Sequence, residues 1–110
     1  MNKQHRVKDN KDFTRIIHTG KSFRQAALII YFVKSDQQLK VGLAVSKKVG
    51  NAVTRNKIKR QLRSIFRKHI NKYPNFEIVA VVRKSYLEYS YDQIDALVEK
   101  MLNKLEKTDE

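Results

Sequence analysis

The chain has 110 residues, enough for one hydrophobic core and too few for two ordinary domains. It contains no cysteine, which excludes a disulfide scaffold and any cysteine-ligated zinc or iron–sulfur site. Lys and Arg number 24 against 11 Asp and Glu, a formal charge of +13, and an excess of that size points to a polyanionic partner, nucleic acid before an anionic membrane.

Met1 to Lys11 is polar and lacks the apolar stretch of a signal peptide. Residues 1–8 read as a flexible basic arm ahead of a single domain. Asp9 or Asn10 is placed to cap a short helix on which Phe13, Ile16 and Ile17 share a face. Gly20 is its expected stop, through the left-handed conformation that glycine tolerates. Ala26 to Val33 (AALIIYFV) is rich in β-branched and aromatic residues and predicts a strand. It is also the longest apolar run, far short of the ~20 residues that span a bilayer. A soluble, cytoplasmic protein is expected. Ser35 to Gln38 reads as a turn. Val41 to Ser46 predicts a second strand with Val41, Leu43 and Val45 on one face. Glu77 to Val82, after Pro74 and Asn75, predicts a third, and its continuous apolar character suits a strand covered on both faces. Ser90 begins a last helix, with Ile94, Leu97, Val98, Met101, Leu102 and Leu105 as its apolar stripe.

The segment between the second and third strands carries most of the functional information. It predicts a long helix that begins after Gly50 and runs to about Asn71, with Asn51 as N-cap. Ile58, Leu62, Ile65, Phe66 and His69 share one arc. Lys57, Lys59, Arg60, Arg63, Arg67 and Lys68 cover most of the rest, with Asn56 among them and Arg55 near the edge of the apolar stripe. Val53 falls on the polar side, so it should either precede regular helix or pack on a neighbour. No acid interrupts the basic residues. Arg55, Lys59, Arg63 and Arg67 are like-charge neighbours at i,i+4, which costs stability. A solvated surface helix normally mixes in Glu, so a phosphate-binding helix is the better reading, and the planar guanidinium fork suits it.

Ser46-Lys47-Lys48-Val49-Gly50-Asn51 leads into this helix. Two lysines leave the strand end, and a helix N-terminus with free N–H groups follows. The spacing is not that of a Walker loop, and an ordinary strand-to-helix turn is the alternative. Phe13, Tyr31 and Phe32 are the candidates for base stacking. Strand alternation puts Tyr31 and Phe32 on opposite faces. Phe32 is assigned to the core, whereas Phe13 and Tyr31 stay open between core and stacking. His5, His18 and His69 show no metal-site spacing, His69 reads as a core-edge residue, and no Ser/His/Asp set or carboxylate pair is visible. The pattern is that of a basic binding module rather than a free-standing catalyst.

Val41 to Arg67 closely resembles the protein subunit of bacterial ribonuclease P. The resemblance rests on Gly50-Asn51-Ala52-Val53 followed by Arg55-Asn56-Lys57-Ile58-Lys59-Arg60, with weaker matches at Asp12-Phe13, Gly20, Tyr31 and Val81-Val82-Arg83-Lys84. It implies an α+β single-domain sandwich of order α-β-β-β-α-β-α with a left-handed β-α-β crossover. The additional short strand would lie around Lys21 to Arg24. It also implies a subunit without catalytic residues or bound cofactor of its own, whose RNA partner uses magnesium to remove the 5′ leader of precursor tRNA. Arg55, Asn56, Lys57, Lys59, Arg60, Arg63 and Arg67 would face the catalytic RNA. Phe13, Ile17, Tyr31, Ser46, Lys47 and Lys48 would line the leader cleft. Ile17 stands where the family often has an aromatic, so its contact would be apolar; Gln25-Ala26 replaces a frequent Asn-Arg. Membranes and small-molecule substrates are not implied. The rival readings are a small ribosomal-type RNA-binding protein and a protein-only nuclease, the latter lacking an acidic cluster for metal ions.

Overall fold

The computed structural model describes the backbone of residues 10–35, 39–69 and 75–108. The expected arm over residues 1–8, the Asp9 cap, Asp36 to Gln38 of the expected turn, and Pro74 lie outside the described residues. In chain order the elements are α1 (Asn10–Thr19), β1 (Lys21–Arg24), β2 (Leu28–Lys34), β3 (Lys40–Ala44), α2 (Ala52–His69), β4 (Phe76–Val82), a 3-10 helix (Lys84–Glu88) and α3 (Tyr91–Thr108). This is the order α-β-β-β-α-β-α with a 3-10 helix added before the last element.

The strands form one sheet in the order β1-β2-β4-β3. β2 pairs antiparallel with β1 and β4, whereas β3 and β4 run parallel. A parallel pair needs a crossover rather than a hairpin, and α2 supplies it. β4 is therefore central, and the register divides its side chains between the two faces. Tyr31, Val79 and Gly42 stand side by side, as do Ile29, Val81 and Ala44, on one face. Phe32, Ile78 and Val41, with Ile30, Ala80 and Leu43, occupy the other. β1 is mostly exposed, with only Phe23 half-buried, and that ring lies 4.9 Å from Phe32.

α2 and α3 cover the second face and close the main core. Ile58, Leu62, Ile65 and Phe66 of α2 meet Ile94, Val98, Met101, Leu102 and Leu105 of α3 over Leu28, Ile30, Ile78 and Ala80. Both helices start on side-chain caps. Asn51 Oδ1 accepts the Thr54 N–H at 2.9 Å. Ser90 Oγ accepts the Gln93 N–H at 3.2 Å while Gln93 Oε1 accepts the Ser90 N–H at 2.9 Å, a reciprocal box.

Three local expectations change. Gly20 is not left-handed; a Cβ there would lie 2.5 Å from Ile16 O and 2.6 Å from Phe32 O, so close backbone approach requires the glycine. β2 begins at Leu28 rather than Ala26, because the Gln25 N–H bonds Leu28 O at 2.8 Å and closes the turn from β1. β3 ends at Ala44 rather than Ser46, because its pairing with β4 stops at Ala44–Val81.

Candidate nucleic-acid interface

α2 has two sides with opposite tasks. Its apolar arc, Ile58, Leu62, Ile65, Phe66 and His69, is buried. On the remaining surface Asn56, Lys57, Arg60 and Arg67 are exposed, and Arg55, Lys59 and Arg63 are half-buried. The first turn of α2 carries no acid, whereas α1 and α3 have Asp12 and Asp92 there. The positive end of the α2 dipole is thus left without a carboxylate in its own first turn, in a region that already holds Lys47 and Lys48. Arg55 Nε is buried and has no hydrogen-bond partner among the described residues. An unmet buried donor is costly.

The like-charge strain of the helix is relieved at its C-terminal end. Lys68 Nζ donates to Asp95 Oδ2 of α3 at 2.8 Å and lies 5.0 Å over the Tyr91 ring. The Lys68 hydrogen bond, with a lesser contribution from nearby His69, holds the Asp95 carboxyl below its ordinary range. His69 sits at the core edge, its Nε2 3.6 Å from Asp95 Oδ1. Ser64 and Tyr91 share a hydroxyl hydrogen bond of 3.0 Å. Lys68 therefore belongs to the seam between α2 and α3.

The opposite face of the sheet is built differently. α1 packs on β2 and β4. Ile16 meets Val79 there, both fully buried, and Phe13, Ile17, Tyr31, Val33, Ala44 and Val81 surround them half-buried. Arg15 pairs with Glu77 of β4, which fixes the helix on the sheet. A ten-residue helix cannot cover four strands, and among the described residues the β3 side of this face keeps a half-buried strip at Ala44 and Val81. The strip leads to Ser46, Lys47 and Lys48, all exposed, in a turn closed by the Val49 N–H on Ser46 O at 3.1 Å. Val49 is buried in the main core and anchors that turn.

Phe13, Ile17 and Tyr31 are thus brought together, with Ser46 to Lys48 at the end of the neighbouring edge strand. The seven α2 residues lie on the other side of the sheet. Phe32 is in the core as expected. Val53 is neither before the helix nor packed: it lies in the first turn of α2 and is 77% exposed. The 3-10 helix, with Tyr86 buried and Leu87 exposed, was not foreseen, because five residues of KSYLE carry no periodic signal. Among the described residues no group of three or more His, Asp or Glu is placed to hold a metal ion.

Comparison with known proteins agrees with this architecture. The Ribonuclease P family model matches residues 1–106. The ribonuclease P protein component of Mycoplasma mycoides is 38% identical over 102 residues, which cover 90% of this chain and 94% of that protein. A Staphylococcus aureus ribonuclease P protein, solved as a mutant with defective mRNA degradation activity, superposes with a TM-score of 0.88 at 33% identity, covering 94% of this chain and 90% of that one. The ribonuclease P protein of Thermotoga maritima superposes with a TM-score of 0.81 at 28% identity, covering 90% and 96%. With the family model spanning nearly the whole length and the fold shared with solved ribonuclease P proteins, the chain belongs to the ribonuclease P protein family.

Proposed function

We propose that this chain works as the RNA-binding subunit of the tRNA 5′-processing endoribonuclease, with its two surfaces divided between two RNAs. The outer side of α2, from Arg55 through Arg67, binds the catalytic RNA by phosphate contacts. The strip beside α1, with Phe13, Ile17, Tyr31, Ser46, Lys47 and Lys48, holds the single-stranded 5′ leader of precursor tRNA. The observation that supports this division most strongly is the sheet between them. A helix with basic residues and no acid lies on one face, and a half-covered aromatic and apolar strip lies on the other.

The chemistry of each surface fits its ligand. Folded RNA presents phosphates, which a row of exposed Arg and Lys can bind without reading sequence. A single strand offers unstacked bases, which Phe13 and Tyr31 can receive while Lys47 and Lys48 neutralise its backbone. Hydrolysis of the phosphodiester is assigned to the RNA and the magnesium it carries, and the protein's own residues bind and position. The holoenzyme is placed in the cytoplasm with its substrate. No helix among the described residues is long and apolar enough to cross a membrane.

The test is cleavage of 5′-labelled precursor tRNA at limiting magnesium by a bacterial ribonuclease P RNA, with and without this chain, and with the chain alone. Cleavage at the mature 5′ end that requires the RNA and is stimulated by the chain is the expected result. RNA binding without any effect on cleavage would overturn the assignment in favour of a ribosomal-type role. Cleavage by the chain alone would overturn the placement of catalysis in the RNA.

A further inference from the structure

A concavity lies outside the strip beside α1 and borders the basic side of α2. It has a volume of about 310 Å3 and is walled by Thr54, Lys57 and Gln61 of α2 and by Tyr86, Leu87 and Tyr89. The large apolar side chains standing most exposed among the described residues are Val53 at 77%, Leu87 at 53% and Tyr89 at 38%. Two of them wall this cavity. The third, Val53, lies one helical turn before Lys57. Scattered exposed apolar residues need no explanation, but a cluster at the rim of a concavity marks a contact site.

The polar groups of the cavity are set in place. The Tyr86 hydroxyl donates to Gln61 Oε1 at 3.1 Å. Burial pushes the Tyr86 phenol up to about 12, so it remains a protonated donor. With Oε1 engaged, the Gln61 amide offers its NH2 to an incoming acceptor. Lys57 supplies an exposed cation, and no acidic side chain lines the wall. A duplex is too wide for such a cavity, whereas one splayed-out base with its phosphate matches its size and its mix of apolar wall, amide and cation.

The geometry points to a pocket for one unpaired nucleotide of an RNA partner, with the base against Tyr89 and Leu87, its edge on the Gln61 amide and its phosphate on Lys57. This inference rests on the RNA-subunit reading and extends it to a site at the 3-10 helix. The nucleotide can come from the catalytic RNA or from the precursor tRNA, and the experiment separates these sources.

Full-length Tyr89→Ala and Tyr89→Phe proteins are titrated with a bacterial ribonuclease P RNA, and then, in the assembled holoenzyme, with precursor tRNA. Tyr89→Ala should weaken one of the two by at least about fivefold, the scale of losing one base stack, while Tyr89→Phe binds like the unmodified chain. Loss confined to the ribonuclease P RNA places the nucleotide there, and loss confined to the precursor places it in the substrate. Thermal midpoints separate a binding loss from a packing loss: Tyr89 is 38% exposed, and Tyr89→Phe, which keeps the ring, should melt with the unmodified chain. A photoreactive benzoylphenylalanine in place of Tyr89 should cross-link to an unpaired nucleotide. Unchanged affinity for both RNAs overturns the pocket, as do cross-links confined to base-paired positions. So does a dimer that Leu87→Glu dissociates without altering RNA affinity. If the unmodified chain stimulates cleavage while Tyr89→Ala binds both RNAs normally, the pocket falls and the subunit reading stands. If it stimulates nothing, that reading falls, and the cross-link to bound ribonuclease P RNA still decides the pocket.

Discussion

The two faces of the sheet are unequal, and the inequality separates stability from binding. On the α2–α3 face, Phe66, Leu62, Ile65, Met101 and Leu102 are fully buried, and the seam between the helices is closed by Ser64–Tyr91 and Lys68–Asp95. On the α1 face, Ile16 and Val79 are buried but their neighbours Phe13, Ile17 and Tyr31 remain half-covered. β4 serves both faces through strand alternation, so a single central strand ties the binding face to the stable one. α2 repeats the division on a smaller scale, with an inner arc that closes the core and an outer arc that stays free of acids. A basic helix without internal acids survives because its inner arc is well packed and because Asp95 offsets charge at its C-terminal end.

The comparison predicts that substitutions on the two faces fail in different assays. Phe66→Ala should give the largest effect, a loss of about 3–5 kcal/mol of folding stability, measured by urea unfolding. A loss under about 1 kcal/mol would mean the main core does not close as described. Replacing both Arg60 and Arg67 by Ala should not lower the unfolding midpoint, since Arg67 is a like-charge neighbour of Arg63, and should weaken catalytic-RNA binding by roughly 1–3 kcal/mol in total. The same variant should reduce the salt dependence of binding, because fewer counterions are displaced. Unchanged affinity would remove the outer arc of α2 from the RNA interface. Phe13→Ala should lower precursor tRNA affinity by about 1 kcal/mol or more and leave mature tRNA, which has no leader, unaffected. Equal losses for both would identify Phe13 as a packing residue of α1.

Much of this division was legible in the sequence. The buried arc of α2 was read residue for residue, because helical period and apolar identity coincide there. The double coverage of β4 followed from its unbroken apolar run. β1 was found only through the family resemblance, since Lys21-Ser22-Phe23-Arg24 has one apolar side chain and no alternation to read. The ambiguity over Phe13 and Tyr31 had a physical cause. Half-burial against Ile16 and Val79 lets one ring serve packing and remain partly open, and no sequence pattern distinguishes that state from full burial. The partner of Lys68 was also hidden. The like charges of α2 are local in sequence, whereas Asp95 reaches them only after α3 has docked. The role assigned to Gly20 missed for a similar reason, because the atoms that exclude a Cβ include a carbonyl of β2, distant in the chain.

The smallest effect is expected at that docking seam, and it is a pH effect. The Asp95 carboxylate accepts from Lys68 and lies beside His69, and both interactions lower its folded pKa from the ordinary 3.8. A carboxyl whose folded pKa is depressed contributes stability that is fully present above the unfolded value and is lost as the pH falls through the folded one. The loss therefore falls below about pH 4, in acid. Lys68 reports the same pair from the alkaline side. Its pKa is raised from 10.5, chiefly by the Asp95 hydrogen bond, so that contribution is present below 10.5 and is lost only as the pH rises through the higher folded value. Both side chains keep access to solvent, which screens the pair and keeps the effect small. Asp95→Asn should therefore lower the thermal midpoint slightly at neutral pH and flatten its decline between about pH 5 and pH 2. Parallel declines in the two proteins would show that the α2–α3 seam is held by Tyr91 and the apolar stripe alone, and that Asp95 does not offset the charge of the basic helix.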